Sequence, residues 1–384
     1  MNFLTEKSPH IRRKDSLFRM LLDVCIALFP VEAMAIVVYG WNAVRNILIS
    51  IFVMAAAEFV CVLLRNRIPY DGNKHTFKEH FLHGLKAYSI PANLMAPIVS
   101  GAIFALIMPP SSDPLPIIYI ALITGALVGI ILGKLVFGGT GQNIFNPAAV
   151  GMVFAKVCFG SKFSYVSSWY FPEGVYTGGT LLTGLDSIHV AGMSDFVGKY
   201  AEIGNTSILD MFLGRMPGVI GEAFSFMILL GLVYLLVRRA LDWRVEASFF
   251  GTFLVLMSLA GLIVSTRIDV NFFQFMGFEL LSGGLLFGAV YMLSDPVTMP
   301  ITSPGRVMYG MIAACITVFI RLFGALPEGM VYAILISNML APVIDRPRWA
   351  SQRYTWKKIL ALGIIGSTAL LLVGLGMGFG GKVA

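Results

Sequence analysis

The chain alternates between long apolar runs and short polar connections. Apolar runs cover 19–40, 44–65, 92–108, 116–136, 144–159, 217–237, 246–264, 277–293, 307–323, 327–344 and 359–378. A helix needs about 20 apolar residues to cross a hydrocarbon layer of about 30 Å. The pattern therefore predicts an all-α polytopic membrane protein with about ten or eleven transmembrane helices. The shortest run, 144–159, fits a half-helix. One long segment, from Gly160 to Met216, breaks the rhythm and is rich in Gly, Ser, Thr, Tyr and Trp. Five runs precede it and five follow, as an inverted five-plus-five repeat would place them. The expected organisation is an N-terminal segment 1–18, a first membrane half 19–159, an outer loop 160–216, a second half 217–344, and a basic segment with an extra span at 345–384. That last run is Gly-rich, which suits close helix packing.

Composition agrees: 57% of residues are hydrophobic, 13% are charged, and the mean hydropathy is +0.81. A soluble domain carries about 25% charged residues. The net charge of +7 is explained by placement rather than by nucleic acid. If the N-terminus faces the cytoplasm, the segments 1–19, 65–91, 134–143, 238–244, 294–306 and 345–358 lie on that side and hold 20 of the 28 Lys and Arg residues. That is the positive-inside bias. It predicts a multi-pass protein of the cytoplasmic membrane, with the loop 160–216 outside. Residues Met1 to Ser16 are polar and basic without a cleavable signal pattern.

Three motifs interrupt the apolar text. The first, Gly138-Gly139-Thr140-Gly141-Gln142-Asn143, leads to Asn146-Pro147. Asn146 can cap a helix whose first turn holds Pro147. The stretch is either a re-entrant loop that cradles a polar ligand at membrane depth or a tight helix-to-helix turn. The second, Ser294-Asp295-Pro296-Val297-Thr298 followed by Pro300, Thr302, Ser303 and Pro304, reads as a rigid, kinked connection on the same side. Asp295 is there for capping, ion coordination or partner contact. The third, Glu173 to Leu182 in the outer loop, presents Thr177-Gly178-Gly179-Thr180 as an exposed hydroxyl site suited to covalent modification.

Acidic residues fall inside the runs at Asp23, Glu32, Glu58, Glu222 and Glu279. Each costs about 2–3 kcal/mol in hydrocarbon even on lenient scales, so such residues face a cavity or a partner. Asp23 stands four residues after Arg19 and fits an interfacial pair. Glu32, Glu58, Glu222 and Glu279, with Asp295, are candidates to line a cation path. Cys25, Cys61, Cys158 and Cys315 lack CxxC spacing, and His80 and His83 bring no further ligands, so no metal site is expected from this chain alone. No catalytic triad or nucleotide-binding fingerprint appears.

The chain resembles the D subunit of the Rnf ion-translocating ferredoxin:NAD oxidoreductase and the related B subunit of the sodium-pumping NADH:quinone reductase. The resemblance rests on Ser8-Pro9-His10-Ile11-Arg12, on Phe137 to Pro147, on Met292 to Thr298, on Pro327-Glu328-Gly329-Met330 and on Ala341 to Asp345. The short N-terminal segment favours the Rnf type. The resemblance implies FMN joined through its phosphate to a threonine of an [S/T]GAT-like motif. Thr180 then takes the attachment position, with Gly178, Gly179 and Thr177 around it. Gly179 stands where the family has alanine. The family's acidic residue would fall on Gly174, one place after Glu173. The relative adds a non-covalent riboflavin. The implied setting is a hetero-oligomeric complex with other Rnf subunits, matured by a flavin transferase and moving Na⁺ or H⁺. The alternative, which the five-plus-five pattern also allows, is a secondary transporter or channel for a small solute.

Overall fold

The computed structural model describes residues 17–65, 76–111, 116–163, 169–170, 207–216, 218–222, 224–267, 271–324, 329–346 and 351–379. Among these, all regular structure is helical. The helices are α1 (Leu17–Tyr39), α2 (Trp41–Arg65), α3 (Phe77–Tyr88), α4 (Pro91–Ile107), α5 (Ile117–Ile130), α6 (Pro147–Phe159), α7 (Ile208–Leu213), α8 (Ser225–Arg238), α9 (Trp243–Arg267), α10 (Phe272–Leu281), α11 (Leu285–Gly288), α12 (Ser303–Phe323), α13 (Met330–Ile344) and α14 (Trp356–Phe379). Helices α5 and α11 each run on into a π-helical turn, Ile131–Leu135 and Ala289–Leu293.

Every apolar run holds a helix. Among the described residues, six helices are long and apolar enough to cross a membrane: α1, α2, α5 with its π-turn, α9, α12 and α14. The pairs α3/α4 and α10/α11 bend by 69° and 50° and raise that number to eight if each is one span. The expected ten or eleven would further require α6, α8 and α13, of 13, 14 and 15 residues. At 1.5 Å per residue these reach only about 20 Å, less than the bilayer core. The run 144–159 accordingly yields a short helix, started by Asn146 and Pro147. In both sets of five the third element is bent and the fifth is short. Large apolar side chains such as Phe52, Leu48, Val233 and Val237 point outward, where only lipid or a partner subunit can cover them. The chain is a multi-pass helical membrane protein.

Named contacts fix the directions. Asn46 reaches the Pro109 carbonyl while Tyr88 reaches that of Ala55, so α2 and α4 are antiparallel. Arg306 meets Asp242 and Arg321 lies over Phe253, so α9 and α12 are parallel. The bundle thus has two ends. The first gathers the starts of α1, α6, α9 and α12 and the connections 136–146, 239–242 and 294–302. The second gathers the ends of α1, α4, α6 and α12.

Close approach of α5 and α6 sets the short helix in place. A Cβ on Gly129 would lie 2.5 Å from the Pro147 carbonyl oxygen, and one on Gly151 would lie 2.6 Å from that of Gly125. Both distances are below any real Cβ contact, and neither obstacle is a side chain that could swing away. Gly129→Val should therefore push α6 off α5 and lower the folded yield in detergent, measured by fluorescence-detected gel filtration after heating. A destabilisation of about 1–3 kcal/mol is expected, as for an overpacked core.

Candidate functional site

The two Gly/Pro-rich connections meet at the first end of the bundle. Positive φ at Gly138, Gly139 and Gly141 (125°, 92° and 87°) turns the chain after the π-turn of α5 and leads it back to α6. Asn146 then serves two elements. Its side-chain oxygen accepts from the Ala148 and Ala149 N–H groups at 3.0 and 3.4 Å, capping α6. Its amide nitrogen donates to the Met292 carbonyl at 3.3 Å, in the π-turn that precedes the second connection. Asn338 of α13 completes the junction. With its amide nitrogen facing the Tyr309 hydroxyl, its oxygen accepts from the Asn146 N–H at 3.1 Å.

Between the connections lies a cleft of about 110 Å³. Lys134, Thr140, Asn143, Asn146, Ser294 and Asp295 form its polar wall, and Leu17, Met20 and Val24 face them. Asp295 receives the Val297 N–H at 3.1 Å. Burial lifts its carboxyl above the ordinary range, against the opposing pull of that N–H, the Asn143 amide and the Lys134 ammonium.

Behind the cleft stands a buried ion pair. The Lys134 ammonium donates to Glu58 Oε2 at 2.7 Å, and the Thr140 hydroxyl donates to Oε1, also at 2.7 Å. Glu58 is 1% exposed and Lys134 is 3% exposed. Both carboxylate oxygens are thus satisfied, one by charge and one by the first motif itself. A π-turn carries Lys134, and such turns often mark functional positions because they rotate a side chain out of the helical register.

The other acidic candidates divide. Asp23 accepts from Tyr234 at 3.0 Å and Arg238 at 3.1 Å, both on α8. Glu279 and Glu222 lie toward the second end, at the break between α10 and α11. Arg321 bonds Glu279 at 3.1 Å, and Glu222 abuts Gly284. Glu32 sits on α1 two residues past Pro30, near Tyr291, whose hydroxyl donates to the Ala27 carbonyl at 2.8 Å. The fold therefore brings Glu58 and Asp295 to one cleft, gathers Glu222 and Glu279 at the far break, and leaves Glu32 between. Among the described residues, no group of three His, Cys, Asp or Glu is placed to hold a metal ion. Thr177, Gly178, Gly179 and Thr180 lie outside the described residues.

Sequence reasoning missed Lys134, Arg321, Tyr309, Asn338 and Glu246. The two bases counted only as charge at the ends of runs, although a Lys or Arg inside an apolar window asks for a partner as much as an acid does. Glu246 stands at the first position of the run 246–264 and was not counted among the acids inside the runs.

The sequence matches the NQR2, RnfD, RnfE family over residues 4–352, so α14 lies beyond the match. It is 30% identical to the D subunit of the ion-translocating oxidoreductase complex of Stutzerimonas stutzeri, over 87% of this chain and 91% of that one. It is 28% identical to the D subunit of the proton-translocating ferredoxin:NAD(+) oxidoreductase complex of Clostridium ljungdahlii, over 90% and 94%. The B subunit of the Na(+)-translocating NADH-quinone reductase of Chromohalobacter salexigens is 36% identical over 64% of this chain and 56% of its own. With a family match that spans most of its length, the chain belongs to the NQR2, RnfD, RnfE family.

Proposed function

We propose that the chain is a membrane subunit of a redox-driven ion pump, carrying FMN as a phosphoester on Thr180 and coupling ferredoxin oxidation and NAD reduction in partner subunits to movement of Na⁺ or H⁺. The observation that carries the reading is the buried Lys134–Glu58–Thr140 cluster beside an amide-lined cleft, in a chain whose relatives are named for ion-translocating oxidoreductases.

The first end holds Arg65, Arg238, Arg239, Arg244, Lys357 and Lys358, so the positive-inside rule turns it to the cytoplasm. Helix α6 ends, and α8 begins, at the opposite end. The segment bearing Thr180 between them is then outside, where a flavin transferase working beyond the cytoplasm has access. Bound flavin supplies one- and two-electron chemistry, and the protein supplies position and charge.

The chain's own step is a choice of counter-ion. With Lys134 on Glu58, that carboxylate has no room for a second cation. Lys134 also feels Asp295 across the cleft. Swung toward Asp295, it would leave Glu58 to bind Na⁺ or a proton. Added negative charge in the cleft favours that swing, which gives the ion different affinities in the two redox states, as coupling requires. Glu32, then Glu222 and Glu279, continue the acidic line toward the second end.

The test of the flavin is denaturing gel electrophoresis of the chain co-expressed with a flavin transferase. In-gel fluorescence is expected in the wild type and its loss in Thr180→Ala. Fluorescence in both would move the attachment to Thr177 or Thr183. A dark wild-type band beside a flavinylated sister protein would discard the covalent flavin and favour the solute transporter.

A further inference from the structure

Glu246 takes no part in the scheme above, yet its setting is the most costly of the carboxyls at the first end. It lies in the first turn of α9 and is 5% exposed. Among the described residues neither carboxyl oxygen has a hydrogen-bond partner within range, and no cation stands within ion-pair distance. Charged and titratable groups on the elements around it are committed elsewhere. Asp242, in the preceding turn, holds Arg244 and Arg306. On α12, Arg306 also meets the Pro300 carbonyl and Tyr309 meets Asn338. Tyr291 of the π-turn is bonded to Ala27, and Lys358 of α14 to Ser351. Glu279 and Arg321 pair with each other at the other end.

The neighbour that matters is Ser294, beside the Glu246 carboxyl. Ser294 is the first residue after the π-turn and lines the cleft. Its hydroxyl donates to the Val290 carbonyl at 2.8 Å, and the same hydroxyl can rotate to donate to an ionised Glu246 carboxylate instead. An ionised carboxylate would take that hydroxyl from the Val290 carbonyl and still have no counter-charge, whereas a carboxylic acid can donate to the serine oxygen and leave the existing bond in place. A buried carboxylate without a counter-charge is hard to tolerate in an apolar interior, and a hydrogen-bonded acid is ordinary.

We propose that Glu246 is a binding site for one exchangeable proton, linked through Ser294 to the cleft. Loss of that proton places an unpaired charge directly behind the 294–302 connection. One serine hydroxyl does not offset that charge, and further relief requires the connection to lift and admit water, so the position of one wall of the cleft becomes proton-dependent. The site does not rest on the flavin: it follows from the carboxyl and the serine alone.

Two measurements on the full chain in lipid nanodiscs test it. In infrared spectra the neutral-carboxyl carbonyl band, identified by its downshift in D₂O, should be weaker by one carboxyl in Glu246→Gln and retained in Glu246→Asp. The second uses Ile301→Cys, on the exposed part of the connection, with Cys25, Cys61, Cys158 and Cys315 replaced. Maleimide labelling is compared with and without Glu246→Gln in that background, so that thiol ionisation cancels in the ratio of the two rates. Passing from mildly acidic to alkaline pH, the rate with the native Glu246 relative to that with Glu246→Gln should rise by about threefold or more. An unchanged infrared band in Glu246→Gln, or a labelling ratio flat with pH, overturns the proposal.

Discussion

Lys134→Met will cost the protein both its stability and its ion movement. The substitution keeps the apolar stem of the side chain and removes only the ammonium that lies 2.7 Å from Glu58. Glu58 then keeps one hydrogen bond, from Thr140, and no compensating charge at 1% exposure. Removing one partner of a buried pair destabilises by about 3–5 kcal/mol. The variant should lose its folded form in detergent at a markedly lower temperature and accumulate poorly in the membrane. Glu58→Gln strands the ammonium instead and should fail for the mirror-image reason. The informative chain is the double variant, Lys134→Met with Glu58→Gln. It has no stranded charge, and a neutral pair is often as stable as a buried ionic one. Its thermal stability should return toward wild type. Ion uptake by proteoliposomes containing the assembled complex should not return, because neither counter-ion is left to exchange. A double variant that is both stable and fully active would reduce the pair to a structural clasp and remove Glu58 from the ion path.

The pair shows where sequence reading succeeds and where it stops. Apolar runs are legible because hydrocarbon admits little else, so each run located a helix. Whether a run crosses was less legible: α6, α8 and α13 begin inside their runs, at Pro147, Ser225 and Met330, where backbone geometry and packing decide, and a hydropathy window averages that away. The bends at 89–90 and 282–284 were equally hidden. The motifs were found as unusual text, and the fold gives them a shared place: Asn146 ties the first to the π-turn that opens into the second. The reading of Asp23 gave it Arg19 by helical spacing, and it did not foresee the hydrogen bonds from Tyr234 and Arg238, 211 and 215 residues away along the chain. Periodicity reports neighbours on one helix and is silent on the helix across the interface. For the same reason an acid in a span could be flagged as needing a partner while the partner stayed unnamed. Glu58 and Glu279 each found a charged one on another helix, which narrows their role, and Glu246 found no cation among the described residues.

Arg321→Met should be the most damaging single change at the second end of the bundle, and its companion Arg321→Lys should not repair it. Helix α10 stops at Leu281 and α11 starts at Leu285, so carbonyls at the break lose their helical partners inside the membrane domain. Arg321 supplies them. One guanidinium nitrogen donates to the Glu279 carbonyl at 2.5 Å and to its carboxylate at 3.1 Å. The other donates to the carbonyls of Ser282 at 2.9 Å and Gly283 at 3.2 Å. The planar fork also lies over the Phe253 ring, 5.6 Å from its centre. Methionine fills the space and satisfies none of this: three carbonyls and a carboxylate are left in a site where each unmet polar group costs about 1–3 kcal/mol. Lysine restores the charge for Glu279 but has a single nitrogen, which cannot span acceptors arranged for a fork. The expected order of thermal stability in detergent is therefore wild type, then Arg321→Lys, then Arg321→Met, with Arg321→Met/Glu279→Gln regaining only the part owed to the stranded carboxylate. If Arg321→Lys matched the wild type, the carbonyl contacts would carry no weight and the break would be held by charge alone. If the double variant fully recovered, the same conclusion would follow from the other direction. The predicted partial recovery is what a bent span requires when one side chain both neutralises an acid and closes the open end of a helix.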